Sequence, residues 1–127
     1  METTILGNDL EICRILNGMW QVAGGHGQID SKLAIQEMQK YQELGFTTWD
    51  LADIYGPAES LIGDFNKKDE HDFQAFTKFV PNPGPMSNSI VTYYIEESLK
   101  KMNLKCIDLL QFHWWDYHDS SYLDALQ

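Results

Sequence analysis

Short β-rich runs alternate with helix-like runs along most of this chain, and no other feature limits its fold as strongly. Strand-like runs fall at residues 14–16, 47–51, 73–79 and 106–113. Helix-like runs lie between them at residues 31–44, 58–65 and 90–102, and another opens at 119–127. The punctuation agrees with this division. Asp30 and Ser31 can cap the first helix, and Gly45 can end it. Its apolar stripe is Ala34, Met38, Tyr41 and Leu44. Gly56-Pro57 breaks the pattern before the second helix, and Ser87, Asn88 and Ser89 can cap the third. In that third helix Ile90/Val91, Tyr94/Ile95, Ser98/Leu99 and Met102 make one apolar face. Ahead of the series, residues 5–12 read as a hairpin turning at Gly7, Asn8 and Asp9. A hairpin followed by β, α, β, α, β, α, β implies a parallel sheet with right-handed crossovers.

Four titratable side chains then fall at the ends of three successive strands. Asp50 ends the second strand, and Tyr55 follows just beyond it. Lys78 closes the third and His113 the fourth. Parallel α/β proteins carry their chemistry at the carboxyl ends of strands. Each residue also has a structural alternative. Asp50 can cap or turn, Tyr55 can pack, Lys78 can sit in solvent, and His113 can be a satisfied core histidine. Glu59 and Asp108 read as structural. Trp114 and Trp115 fit packing or substrate contact equally well. His113, Asp116 and His118 lack a recognised metal-ligand spacing, so no metal is expected. Gly24-Gly25-His26-Gly27 lacks the dinucleotide spacing G-x-G-x-x-G and reads as a mobile surface loop. Residues 67–72 read as a charged surface turn.

Charge and composition exclude several partners. A net charge of −10 argues against electrostatic binding to nucleic acid or to anionic membranes. Arg14 is the only arginine, so a bidentate phosphate clamp is not at hand. No apolar run approaches a membrane span, and residues 1–4 lack the features of a signal peptide. Cys13 and Cys106 lie far apart in apolar runs and read as two reduced, buried thiols. A soluble, cytoplasmic protein is expected.

The residues from Arg14 onward resemble the first half of an aldo-keto reductase. Asp50, Ala52, Tyr55, Gly56 and Glu59 match that family's D-x-A-x-x-Y-G-x-x-E segment, and Gly63 fits the helix glycine that follows. Gly18-Met19-Trp20 resembles its G-T-W turn after the first barrel strand. Ser98-Leu99 and the run from Ile107 to Trp114 resemble its S-L helix and the strand ending in the active-site histidine. Met19 and Leu51 replace usual threonines, and neither change removes a reacting group.

The resemblance implies NAD(P)H-dependent reduction of a small-molecule aldehyde or ketone, with Asp50, Tyr55, Lys78 and His113 as catalytic tetrad. Hydride delivery to a carbonyl carbon leaves negative charge on oxygen, which needs a proton. A free tyrosine, with a pKa of about 10, donates poorly at neutral pH. A neighbouring ammonium favours phenolate, and Lys78 is placed to supply it. Asp50 would hold Lys78, and His113 would orient the substrate oxygen. Gly18, Met19, Trp20 and Asp50 are the expected cofactor contacts, and Trp20 and Trp114 the expected substrate walls.

The expected fold is the N-terminal half of a (β/α)8 TIM barrel preceded by a β-hairpin, a single partial domain over residues 1–127 truncated after about the fourth strand. A full barrel takes about 250 residues and eight strands, with phosphate loops after the last two. Most of the NADPH (or NADH) site is therefore expected in a C-terminal half that this sequence lacks. A non-catalytic reading stands beside the enzymatic one: a cofactor-sensing or regulatory subunit, or an inert half-barrel. Open sheet edges, above all at residues 107–113, are expected to favour self-association.

Overall fold

The computed structural model describes residues 1–25, 27–67 and 72–126. His26 of the glycine-rich loop and residues 68–71 of the charged turn lie outside the described residues.

The chain starts with an antiparallel hairpin, β1 (Thr3–Leu6) and β2 (Leu10–Cys13), in register from Thr3↔Cys13 to Leu6↔Leu10. Gly7 makes the turn at φ 68°, a region open to glycine at little cost. The next strand is β3 (Asn17–Gly18), not residues 14–16. Arg14 is still bound to the hairpin, its N–H donating to the Glu2 carbonyl at 3.0 Å. The chain must therefore bend at Arg14 and Ile15 before it can enter the sheet. A 3₁₀ turn follows at Trp20–Ala23.

Helix α1 (Ser31–Glu43) starts where the sequence places it. The Asp30 side chain accepts from the N–H groups of Lys32 and Leu33, and Gly45 follows the helix at φ 84°. The expected stripe needs correction at its end. Ala34 and Met38 face the core, joined by Ile35, but Tyr41 is 47% and Leu44 66% exposed. Leu44 is the C-cap, with ψ at 0°, so it no longer follows the helical period.

The remaining elements are β4 (Thr48–Asp50), α2 (Ala58–Asn66), β5 (Gln74–Phe79), α3 (Asn88–Met102), β6 (Leu109–Phe112) and α4 (Tyr122–Ala125). The four sheet strands are parallel in the order β3-β4-β5-β6. With the leading hairpin, this is the N-terminal half of a (β/α)8 barrel. Helices cover one face. Trp49 and Ala75 pack there against Met38, Leu61, Phe65 and Met102. Helices α2 and α3 approach so closely at Gly63 that a Cβ on it would lie 2.0 Å from the Lys101 carbonyl oxygen.

The hairpin closes the amino end of the sheet. Thr48 Oγ1 accepts from the Cys13 N–H at 3.0 Å and donates to Gln74 Oε1 at 2.9 Å. The Gln74 side chain in turn donates to the Glu11 carbonyl. The carboxyl ends of the strands stay open, which leaves that end for a site.

Two sequence expectations fail near β6. The strand is shorter than residues 106–113, although it does form the expected sheet edge, with Leu110 37% exposed. Cys106 lies in the bend before the strand and is exposed, whereas Cys13 is buried. Both thiols are free. In the folded chain a thiol reagent such as Ellman's is expected to modify Cys106 at once and Cys13 only after denaturant is added. Prompt reaction of both would contradict the placement of Cys13.

Candidate active site

Backbone alternation decides which β5 side chains reach the open barrel face. Thr77 and Phe79 point toward the helices. Thr77 Oγ1 donates to Glu59 Oε1 on α2 at 2.8 Å, and Phe79 packs in a cluster that includes Ile90 and Val91 of α3. Lys78, between them, takes the opposite face. There its ammonium donates to Asp50 Oδ1 at 2.7 Å and to the Leu51 carbonyl at 2.7 Å. The ion pair is largely shielded, with side-chain exposures of 16% for Lys78 and 31% for Asp50. Partial desolvation strengthens such a pair relative to one in water. The same ammonium lies 5.2 Å from the centroid of the Tyr55 ring.

Tyr55 reaches this position through the loop after β4. Its N–H donates to the Ala52 carbonyl at 3.0 Å. Gly56, at φ 52°, then passes Ala23 so closely that a Cβ would sit 3.3 Å from the Ala23 backbone. That close passage brings the 3₁₀ turn against the loop. Trp20 meets Tyr55 edge to face, with ring centroids 5.0 Å apart.

His113 continues the β6 side of the ladder, its N–H donating to the Phe79 carbonyl at 2.9 Å. Its imidazole stacks on Trp115 at 4.0 Å. Trp20, Ala52, Ile54, Tyr55, Lys78, Val80, His113 and Trp115 together line a cleft of about 140 Å³. The four residues singled out from strand ends thus converge at one end of the sheet, with Lys78 beside both Asp50 and Tyr55.

Two expected contacts lie elsewhere. Trp114 does not line the cleft. It is 5% exposed, packs with Phe79 and Met86 on the helix side, and donates from Nε1 to the Asp116 carbonyl at 2.6 Å. Trp115 takes the wall instead. The period of two along an extended chain puts Trp115 on the face of His113 and Trp114 on that of Phe112, and that signal was available in the sequence. The Met19 side chain is also buried, within the core, and its N–H is engaged by the Asp50 carbonyl at 2.9 Å. From the Gly18-Met19-Trp20 turn, what remains open is the bare surface of Gly18, beside Asp50 in register, and the Trp20 ring.

Neighbouring carboxylates are tied into the frame. Asp108 accepts from the Ala75 N–H at 2.9 Å. Glu59 is 2% exposed and is held by Thr77 and, at 3.3 Å, by Lys101. Asp53 accepts from the Val80 N–H through Oδ2 at 3.1 Å, while its buried Oδ1 has no partner. Burial pushes the Asp53 carboxyl above the ordinary carboxylate range, and the nearby Glu59 charge adds to this. The Val80 and Ile54 amides and Lys101 oppose it.

The lining of the cleft suits the reacting end of a nicotinamide cofactor, while Lys78 and Arg14 offer no free charge for its phosphates. The cleft sets polar groups between aromatic walls, as a reacting ring and a carbonyl require. Its one cation, Lys78, is already paired with Asp50. Arg14 is paired with Glu2 beside the hairpin, at 2.7 Å. Neither is free for a phosphate.

With this geometry in place, comparison with known proteins assigns the class. The sequence profile of the Aldo/keto reductase family matches residues 14–127. The chain belongs to the aldo/keto reductase family.

Among curated relatives, it is 27% identical over 125 residues to the aldo-keto reductase YhdN of Bacillus subtilis, covering 90% of this chain and 38% of that protein. It is 30% identical over 131 residues to 6-dehydroglucose reductase of Agrobacterium fabrum, covering 89% of this chain and 43% of that protein. A solved Bombyx mori aldo-keto reductase in complex with NADP superposes with a TM-score of 0.75 at 21% identity, covering 99% of this chain and 44% of that one. The chain thus spans less than half the length of these relatives.

Proposed function

We propose that this chain carries the reacting groups of an NAD(P)H-dependent carbonyl reductase acting on a small aldehyde or ketone. The observation that carries the reading is the Lys78 ammonium, held 2.7 Å from Asp50 and 5.2 Å from the Tyr55 ring centroid. A solvated strand end would not need a shielded carboxylate and a carbonyl to fix it. The cofactor, when bound, supplies the hydride.

The side chains do the rest. As the carbonyl carbon gains hydride, its oxygen gains charge, and the Tyr55 hydroxyl donates the proton that completes the alcohol. The Lys78 ammonium stabilises the charge left on Tyr55. Asp50 and the Leu51 carbonyl hold that ammonium on the barrel face. His113, steadied by its stack on Trp115, donates a hydrogen bond to the carbonyl oxygen and fixes its direction. Trp20 and Trp115 wall the cleft and exclude water from one side. The open surface of Gly18 lets a ring approach Asp50 without meeting a side chain. Lys78, already paired with Asp50, is not free to take a phosphate.

The test is Lys78→Met in a barrel completed by the C-terminal half of a related aldo-keto reductase. The turnover rate is expected to fall by about two orders of magnitude, because the tyrosine loses its charged neighbour. Cofactor affinity, read by fluorescence titration, should stay within a few-fold. A methionine variant with a near-normal rate would overturn the reading.

A further inference from the structure

We propose that Asp53 is a positioning residue that holds Lys78 where its ammonium reaches Asp50 and Tyr55. The proposal rests on the reading of Lys78 as the group that assists Tyr55.

The β4–β5 ladder continues past the end of β4. Leu51 N–H donates to the Phe76 carbonyl at 2.8 Å, and Asp53 N–H donates to the Lys78 carbonyl at 3.1 Å. In a parallel ladder the residue that donates to position 78 would accept, through its own carbonyl, from the N–H of position 80. The backbone cannot do that here, because the chain turns away after Asp53 to deliver Tyr55. The side chain takes over, and Asp53 Oδ2 accepts the Val80 N–H at 3.1 Å. Asp53 therefore grips β5 on both sides of Lys78, once with its backbone and once with its carboxylate.

The grip matters because of what Lys78 must do. A lysine stem has four rotatable bonds, and its ammonium finds partners only if its Cα is fixed. Asp50 and Leu51 hold the tip, and Asp53 holds the base. Asp53 also lies on the segment between Asp50 and Tyr55, so one residue ties the loop carrying the tyrosine to the strand carrying the lysine. A second observation sets Asp53 apart from an ordinary turn carboxylate. Its Oδ1 is buried with no hydrogen-bond partner. Keeping a carboxylate there costs desolvation, which a solvated turn residue would avoid. What the ladder needs is an acceptor oxygen, so the amide of asparagine should serve as well.

The experiment is NMR on the chain itself, with no turnover required. Two signals are read: hydrogen exchange at the Val80 amide, and the side-chain ammonium resonance of Lys78. In Asp53→Ala the Val80 amide should exchange about tenfold faster or more, as expected for loss of one hydrogen bond. The Lys78 resonance should move to the position of the solvated lysines. Asp53→Asn should keep both native signals. Should the alanine variant not fold, the same signals are read in Asp53→Glu, which keeps the charge but displaces the acceptor, and both should again be lost. An unchanged Lys78 resonance in Asp53→Ala or Asp53→Glu, or its loss in Asp53→Asn, overturns the proposal. A failed carbonyl-reduction assay would instead count against the proposed function, so the two failures are separable.

Discussion

Tyr55→Phe is expected to abolish nearly all carbonyl reduction by a completed barrel, a loss of about 10²- to 10⁴-fold in turnover. The substitution removes one oxygen and little else. The phenyl ring keeps its edge-to-face contact with Trp20, now 5.0 Å between centroids, and it keeps the Lys78 ammonium over its face. Packing and the loop hydrogen bond from Tyr55 N–H to the Ala52 carbonyl are untouched. The loss should therefore appear in turnover, not in cofactor affinity or in thermal stability. Steady-state rates with a simple aldehyde, beside a fluorescence titration with NADPH, separate the two. His113 would still orient the carbonyl oxygen in the variant. A phenylalanine variant with near-normal turnover would remove Tyr55 from the proton-donor role.

Gly63→Ala is expected to be the most damaging single-methyl change for the fold. Two effects oppose each other. Alanine in a helix interior is favoured over glycine by about 1 kcal/mol. Against that, the new Cβ would lie 2.0 Å from the Lys101 carbonyl oxygen and 3.1 Å from its carbon. Both are backbone atoms of α3, so no side chain can rotate away. The helices must separate, which also loosens Met102 and Leu61 in the shared core. Overpacking of this kind costs about 3 kcal/mol. The net loss is then about 2 kcal/mol, worth roughly 8 °C in the midpoint of a chain this size. Thermal unfolding followed by circular dichroism reads it directly. Gly25→Ala is the control, since a Cβ there meets nothing within 4 Å. If the two variants melt together, the helix contact at Gly63 is not as close as described.

These two residues illustrate how differently function and fold are written in the chain. Asp50, Tyr55, Lys78 and His113 were legible as a group because Asp50, Lys78 and His113 stand at strand ends and Tyr55 follows in the loop after Asp50, and strand ends follow from local alternation. The caps at Asp30 and Ser87 and the turns at Gly7 and Gly45 were legible for the same reason. Their hydrogen bonds and dihedral angles involve residues only a few positions apart. The family motif around Asp50–Glu59 is equally local.

Tertiary structure decided what depends on partners far along the chain. Gly63 is intolerant only because Lys101 crosses it. Arg14 stays out of the sheet because Glu2 holds it. Cys106 is exposed because β6 starts three residues later and lies at a sheet edge. The grip of Asp53 on Val80 joins residues 27 positions apart. Trp115, rather than Trp114, faces the cleft because the extended chain keeps its alternation past the end of β6, but only the fold shows that the face of His113 is the one the cleft uses. Local patterns fix dihedral angles and faces, since those energies arise between near neighbours. Which faces meet is settled by packing between elements, and those contacts leave no periodic trace in the sequence.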